Sequence, residues 1–208
     1  MIDAINLPLI LAAGIIATGS PGPATLAIAG TSMNAGRRYG LAMASGMSIA
    51  SLIWSISAAF GLAAVMLANA WAFEIMRYIG AGYLIWLAYK SAKSALKPGV
   101  AVVSAVVTTS PKRAFAKGFA IHITNPKAIL FFGSLYAIAV PPGTPVEGLL
   151  LVICAVGIQS AIIFHGYALL FSNPAMMRGY MRLRCWFEGV FAVAFGLAGF
   201  KILTAKLG

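Results

Sequence analysis

The chain has 208 residues, of which 61% are hydrophobic and 9% charged, and its formal net charge is +11. Soluble proteins carry roughly 25% charged residues, so this composition argues against a soluble domain. The stretches 4–36, 39–73 and 148–177 contain no Asp, Glu, Lys or Arg. Since a membrane-crossing helix needs about 20 apolar residues, they indicate membrane spans. The basic residues lie between spans, as in membrane loops, so we expect no nucleic acid partner.

Six spans are predicted in chain order. They cover residues 5–31, 41–68, 72–92, 115–140, 147–171 and 186–204. The first stretch has no basic residue before Arg37, so we interpret it as a span and not as a signal peptide. The third and sixth spans are expected to carry Glu74 and Glu188 in their first turns, where an acid complements the helix dipole.

The first span is predicted to break near its middle, in the segment TGSPGPATLA at 18–27. Pro21 and Pro23 each lack the N–H that a continuing helix would use. Pro23 suits the first position of a restarted helix. We expect the amides of Ala24, Thr25 and Leu26 to point unpaired into the gap, where a helix N-terminus attracts anions.

The basic residues also predict the orientation. The first, third and fifth connections carry most of them: Arg37, Arg38, Lys90, Lys93, Lys97, Lys112, Arg113, Lys117, Arg178, Arg182 and Arg184. By the positive-inside rule these connections are cytoplasmic, so both termini are predicted on the outer side.

The fourth span contains a second predicted break, in the segment HITNPKAIL at 122–130. Asn125 is a favourable N-cap, and Pro126 fits the first helical position after it. Lys127 would then lie about 15 Å deeper than Lys117, near the middle of the membrane. A lysine there is costly, and a bound anion would compensate that cost.

The two breaks predict a repeat. Pro23 and Pro126 are separated by about half the chain, and three spans per half require the halves to insert with opposite orientations. We therefore expect one all-α integral membrane domain over residues 1–208, built from two inverted three-helix repeats. Repeat one is about 1–92, a linker about 93–112, and repeat two about 113–208. The first helix of each repeat is broken by proline.

The same residues carry a resemblance to a known family. Ser20-Pro21-Gly22-Pro23, the segment Gly36-Arg37-Arg38-Tyr39-Gly40 and Asn125-Pro126-Lys127 resemble the lysine exporter (LysE) superfamily, and within it the homoserine/threonine-resistance (RhtB) type. The resemblance implies efflux of amino acids or related metabolites from the bacterial cytoplasm, driven by proton exchange. Many members carry Asp or Asn directly after the PGP motif, whereas this chain has Ala24.

The breaks and the resemblance together predict a site for a zwitterion. The carboxylate would meet Lys127 and the helix that begins at Pro23, and the amine would meet carbonyl, hydroxyl or Asn125 oxygens. The predicted substrate-binding residues are Lys127, Asn125, Pro126, Ser20, Pro21, Gly22, Pro23, Thr25 and Thr124. His122 and His165 are candidates for a proton relay, with an interhelical hydrogen bond as the alternative.

Other functions stay open at this point. They are export of another small solute or cation, a passive channel, and an intramembrane protease with Ser20 as nucleophile, for which no dyad spacing is visible. We expect no enzyme activity, catalytic residue, metal or cofactor. The expected partners are the small-molecule substrate and the lipid bilayer of the bacterial inner membrane, and a homodimer stays open.

Overall fold

The computed structural model describes residues 5–19, 22–68, 70–96, 109–141 and 143–204, and their regular structure is α-helical. The helices are α1 (Leu7–Gly19), α2 (Pro23–Ala35), α3 (Arg37–Ala68), α4 (Ala70–Ala95), α5 (Pro111–Ile123), α6 (Pro126–Ala139), α7 (Val146–Leu170) and α8 (Pro174–Thr204). Ser20 and Pro21 of the first break, and positions 97–108 of the predicted linker, lie outside the described residues.

Both predicted helix breaks are present. Helices α1 and α2 are bent by 56° relative to each other, and α5 and α6 are separated at Thr124 and Asn125. Pro23 and Pro126 occupy the first turns of α2 and α6, as predicted, because proline needs no intrahelical N–H partner there.

Three candidate spans meet the criteria of length and hydropathy within the described residues. They are the segment Arg37–Gly61 of α3, the whole of α7, and α1 with α2 taken together as one broken span. The all-helical prediction is thus confirmed for the described part of the chain. Six spans and two inverted repeats stay predictions.

Helices occupy two of the predicted basic connections, and the side of the membrane on which these residues lie stays a prediction. Helix α3 begins at Arg37, so the connection from α2 is Gly36 alone, with a positive φ of 92° that favours glycine. Helix α8 begins at Pro174, twelve positions before the predicted span, and includes Arg178, Arg182 and Arg184. Arginine, methionine and leucine are good helix formers, so these residues extend the helix.

The predicted first-turn positions of the two acids were also wrong. Neither α4 nor α8 has an acid in its first turn. Because α8 begins early, Glu188 lies near the middle of that helix, and its side chain is only 4% exposed. The charge of Glu188 therefore lies inside the protein, where it contributes nothing to a helix terminus.

Small residues let α3 pack closely against α5. A Cβ added at Gly46 of α3 would collide with the backbone of Phe115 and lie 2.8 Å from the amide nitrogen of Phe119. A Cβ added at Gly118 of α5 would collide with the carbonyl of Met43. Helix α3 also packs against α2, α6 and α7, and α4 packs against α8. The first break precedes α3 in the sequence and the second follows it, and the helices that begin at these breaks, α2 and α6, both pack against α3.

Candidate functional site

A small cavity of about 50 Å³ lies where the two breaks meet. Its polar lining includes side chains from α2, α3, α5, α6 and α7, together with the cap of α6: Thr25, Ser51, His122, Asn125, Lys127 and Ser160. Phe131, Phe132 and Phe164 form much of its apolar wall. The cavity is far smaller than the roughly 300–1,000 Å³ of typical small-molecule pockets, so admitting a ligand requires the helices to move.

The start of α2 offers uncapped backbone to this cavity. Gly22 is in an extended conformation and supplies no side-chain cap. The amide of Leu26 donates to the Gly22 carbonyl at 2.9 Å, so the prediction that Leu26 is unpaired was wrong. The bond follows from helix geometry, since the fourth amide after the cap already reaches the cap carbonyl. Ala24 and Thr25 keep amides that have no intrahelical acceptor.

The side chain of Asn125 caps the start of α6, as predicted. The Oδ1 atom of Asn125 accepts a hydrogen bond from the Lys127 amide at 3.0 Å. The Asn125 carbonyl accepts from the amides of Ala128 and Ile129 at 2.9 and 3.1 Å. Asn125 is 6% exposed, and its Nδ2 group still carries two donors for a ligand in the cavity.

Lys127 brings a positive charge to the cavity from the first turn of α6. Its side chain is half-buried, and it lines the same cavity as Asn125 and Thr25. His122 of α5 lines the same cavity. A cation near a helix N-terminus is disfavoured, so an anion bound between α2 and Lys127 would be stabilised by both.

The other predicted binding residues are divided between cavity and surface. Gly22 and Thr25 line the cavity, and Thr25 is 2% exposed. Pro23 and Pro126 are exposed, outside the described lining. Thr124 is exposed as well, and its hydroxyl donates to the Ala120 carbonyl at 2.7 Å. The structure therefore does not bring Thr124 to the cavity, because its side chain folds back onto α5.

The two histidines occupy different places. His122 lines the cavity, its Nε2 lies 2.9 Å from the hydroxyl of Ser51, and its buried Nδ1 has no hydrogen-bond partner within the described residues. His165 is outside the described lining, between the hydroxyl of Ser45 at 3.0 Å and the Ala161 carbonyl at 2.8 Å. Within the described residues, both ring nitrogens of His165 have hydrogen-bond partners, whereas His122 has one nitrogen without a partner and lines the same cavity as Lys127.

Sequence reasoning missed several residues around the cavity. Ser51 and Ser160 are single hydroxyls in apolar helices, and Phe164 contacts the His122 ring edge-on with centroids 5.3 Å apart. Tyr167 donates to the Gly19 carbonyl at 3.2 Å and so fixes the end of α1.

The chain matches the family model described as LysE type translocator over residues 15–206. It is 30% identical to the threonine efflux protein of Escherichia coli K12 over 194 residues, which cover 92% of this chain and 94% of that protein. The threonine efflux protein of Salmonella typhi is similar to the same extent, with 30% identity and the same coverage.

A second group of relatives carries a different name. The homoserine/homoserine lactone efflux protein of Salmonella typhimurium is 27% identical over 190 residues, which cover 90% of each chain. No solved structure matches this chain at a significant level. The family match over residues 15–206 includes both helix breaks.

Proposed function

The chain belongs to the LysE type translocator family, and from this we propose that it exports amino acids or closely related small molecules across the bacterial cytoplasmic membrane. The names of the relatives favour small hydroxy amino acids such as threonine and homoserine as the first substrates to test. The observation that carries the proposal is the position of Lys127, which faces the open N-terminus of α2 across one cavity.

The substrate carboxylate binds between these two groups. It accepts hydrogen bonds from the Ala24 and Thr25 amides and from the Asn125 side chain, and it pairs with the Lys127 ammonium. Such a site combines a helix dipole, backbone donors and a charge-assisted bond. Thr25 and Ser160 lie on the same cavity and supply hydroxyls to the rest of the substrate. Ala24 is buried and apolar, so no side chain at that position contributes to binding.

Transport requires the cavity to open on each side in turn. With a volume of about 50 Å³, the described state has no room for an amino acid and corresponds to a closed form. We assign the moving parts to the helix breaks, where Gly19, Gly22 and the following residues interrupt regular hydrogen bonding. Substrate sites at discontinuous helices of inverted repeats are typical of secondary transporters.

Proton antiport is the proposed energy source, with His122 as the relay. His122 lines the substrate cavity, its Nδ1 has no hydrogen-bond partner within the part of the chain that the structure describes, and its Nε2 lies 2.9 Å from the Ser51 hydroxyl. Histidine is the side chain whose ordinary titration range includes physiological pH. We also propose that the chain forms inverted repeats, has both termini on the outer side and can form a homodimer. The proposed substrate site does not depend on any of these three features.

The test is efflux from proteoliposomes that contain the purified chain. Vesicles are loaded with labelled threonine, a pH gradient is imposed, and the loss of label is followed against empty vesicles. We expect efflux that depends on the protein and increases when the outside is acidic. Protein-dependent efflux without any response to the gradient would refute antiport alone, whereas no efflux of threonine, homoserine or other amino acids would refute the exporter.

A further inference from the structure

The face of α7 that lines the cavity continues beyond it towards the end of the helix. Ser160 and Phe164 line the cavity. Tyr167 and Phe171 follow at seven and eleven positions after Ser160, which places them on the same helix face. Asn173, two positions after Phe171, is exposed. Along this face of α7, Tyr167 and Phe171 therefore lie between the cavity and the protein surface.

Three aromatic rings fill the space between α2, α7 and α8 at this level. The rings of Tyr167 and Phe171 are stacked, with centroids 5.3 Å apart and planes 6° from parallel. Tyr180 of α8 meets both rings edge-on, with centroid distances of 6.5 Å to Tyr167 and 5.0 Å to Phe171. On the other side of the rings, Ala29 of α2 is buried beside Phe171. The rings thus connect α2 to α8.

The hydroxyl of Tyr167 also holds the edge of the first helix break. It donates to the Gly19 carbonyl at 3.2 Å. Gly19 is the last residue of α1, so its carbonyl has no donor within the helix, and its neighbour Thr18 lines the cavity. A Cβ added at Gly19 would lie 3.2 Å from the Cζ atom of Phe191 in α8. The end of α1 is therefore held closely between α7 and α8.

The neighbouring helix boundaries on this side are made by backbones in close contact. A Cβ added at Gly40 of α3 would lie 3.2 Å from the Cα atom of Ser32 in α2. The boundary between α3 and α5 is equally close at Gly46 and Gly118. Widening either boundary requires two packed helices to separate, whereas the rings between α2 and α8 need only rotate.

The opposite side of the cavity is closed by a larger core. Towards the start of α7, Val152 and Val156 are buried in a core that also contains Phe131 and Phe132 of the cavity wall. Buried residues of α1, α3, α4, α6, α7 and α8 contribute to it. Opening on that side requires many packed side chains to separate together. The described state therefore opens more readily on the side where α7 ends.

We propose that Tyr167, Phe171 and Tyr180 form an aromatic gate through which the substrate enters the cavity, and that the hydrogen bond from Tyr167 to Gly19 keeps this gate closed. The gate lies on the side where α7 ends, which is the predicted cytoplasmic side. This inference rests on the proposed function, since an exporter takes up its substrate from the cytoplasm. Opening rotates the rings away from α2 and releases the Gly19 carbonyl, so that the end of α1 becomes free to move.

The experiment measures how fast a thiol in the cavity reacts. Cys154 and Cys185 are exposed and are replaced by serine, and Ser160→Cys then places one thiol on the cavity. A membrane-impermeant methanethiosulfonate is added from either side of sealed membrane vesicles. In separate variants, Glu147→Cys at the exposed start of α7 and Ala175→Cys at the exposed start of α8 identify the two sides.

Two tyrosines provide a matched pair of substitutions. Tyr167→Phe removes the hydroxyl that bonds Gly19, and labelling of the cavity thiol should become about fivefold faster, because one hydrogen bond no longer favours the closed state. The increase should occur only from the side on which Ala175→Cys is labelled. Tyr180→Phe removes a buried hydroxyl without a hydrogen-bond partner in the described part of the chain, so the rate should not change.

The ring of Phe171 gives a second measurement of the same gate. Phe171→Ala removes one of the three rings and should accelerate labelling more than Tyr167→Phe does. Gel filtration and thermal melting in detergent show whether each variant is folded. Should Phe171→Ala fail to fold, the comparison of Tyr167→Phe with Tyr180→Phe decides the question without it.

The outcomes separate the gate from the exporter, because labelling does not require transport. An unchanged rate in folded Tyr167→Phe, or an increase from the side of Glu147→Cys alone, would overturn the gate and leave the exporter standing. An equal increase in Tyr180→Phe would also overturn it, since the bond to Gly19 would then not be the cause. The expected labelling pattern in a protein that exports no amino acid would support the gate and refute the proposed function.

Discussion

The Oδ1 atom of Asn125 accepts a hydrogen bond from the Lys127 amide at 3.0 Å. One residue therefore both begins α6 and orients the turn that carries the lysine. Because Pro126 has no N–H, the Lys127 amide is the first one that this cap can satisfy. The position of the half-buried Lys127 thus depends on a hydrogen bond between residues only two positions apart in sequence.

The first prediction separates capping from ligand binding at Asn125. Asn125→Ser keeps an N-cap oxygen but loses the Nδ2 donors, whereas Asn125→Ala loses both. We expect Asn125→Ser to melt near the wild-type temperature with a raised KM for threonine efflux. Asn125→Ala should also lose about 1 kcal/mol of stability. A normal KM in both variants would remove Asn125 from the binding site.

The second prediction uses two threonines beside the two breaks. Thr25 is buried on the cavity, and Thr124 is exposed and bonded to its own helix. Thr25→Val should raise the KM for threonine efflux several-fold, because a donor facing the substrate is lost. Thr124→Val is the matched control and should transport normally. Equal effects would mean that the cavity is not the substrate path.

The third prediction concerns the two histidines and proton coupling. His122→Asn should abolish the response of efflux to an imposed pH gradient, while exchange of internal for external threonine continues. His165→Asn should keep both activities, because His165 lies outside the described cavity lining. The check is to measure gradient-driven efflux and exchange in the same proteoliposomes. Coupling that survives in His122→Asn, or is lost only in His165→Asn, contradicts the assignment of the relay.

The fourth prediction tests the close packing of α3 and α5. A Cβ at Gly46 would collide with the backbone of α5, whereas a Cβ at Gly61 of the same helix meets nothing within 4 Å. Gly46→Ala should therefore lower the melting temperature in detergent, and Gly61→Ala should leave it unchanged or raise it, since alanine favours helix by about 1 kcal/mol. Equal melting temperatures would show that the two helices separate easily.

The local features of both breaks could be predicted because they follow from neighbouring residues. Proline at the start of α2 and α6, and the Asn125 cap, depend on rules that act within one helical turn. The start of α8 followed the same rule, since Asn173 Oδ1 accepts from the Ala175 amide at 2.9 Å beside Pro174. The basic residues after it led instead to the interpretation of a loop.

The burial of Glu188 could not be predicted while the start of α8 was misplaced. A helix that begins at 186 puts Glu188 in its first turn, and one that begins at Pro174 puts it at mid-helix. The direction of the Thr124 side chain could not be predicted either, because it depends on how α5 is rotated about its axis. Periodicity gives no such orientation in helices that are apolar on every face, since lipid and core select the same residues.

The most direct measurement is the affinity of the purified protein for labelled threonine in Lys127→Met, compared with Lys112→Met at the exposed start of α5. The account predicts a loss of about tenfold or more for Lys127→Met, because the carboxylate loses its charged partner, with wild-type affinity in Lys112→Met. Wild-type threonine affinity and efflux in a folded Lys127→Met protein would contradict the proposed site.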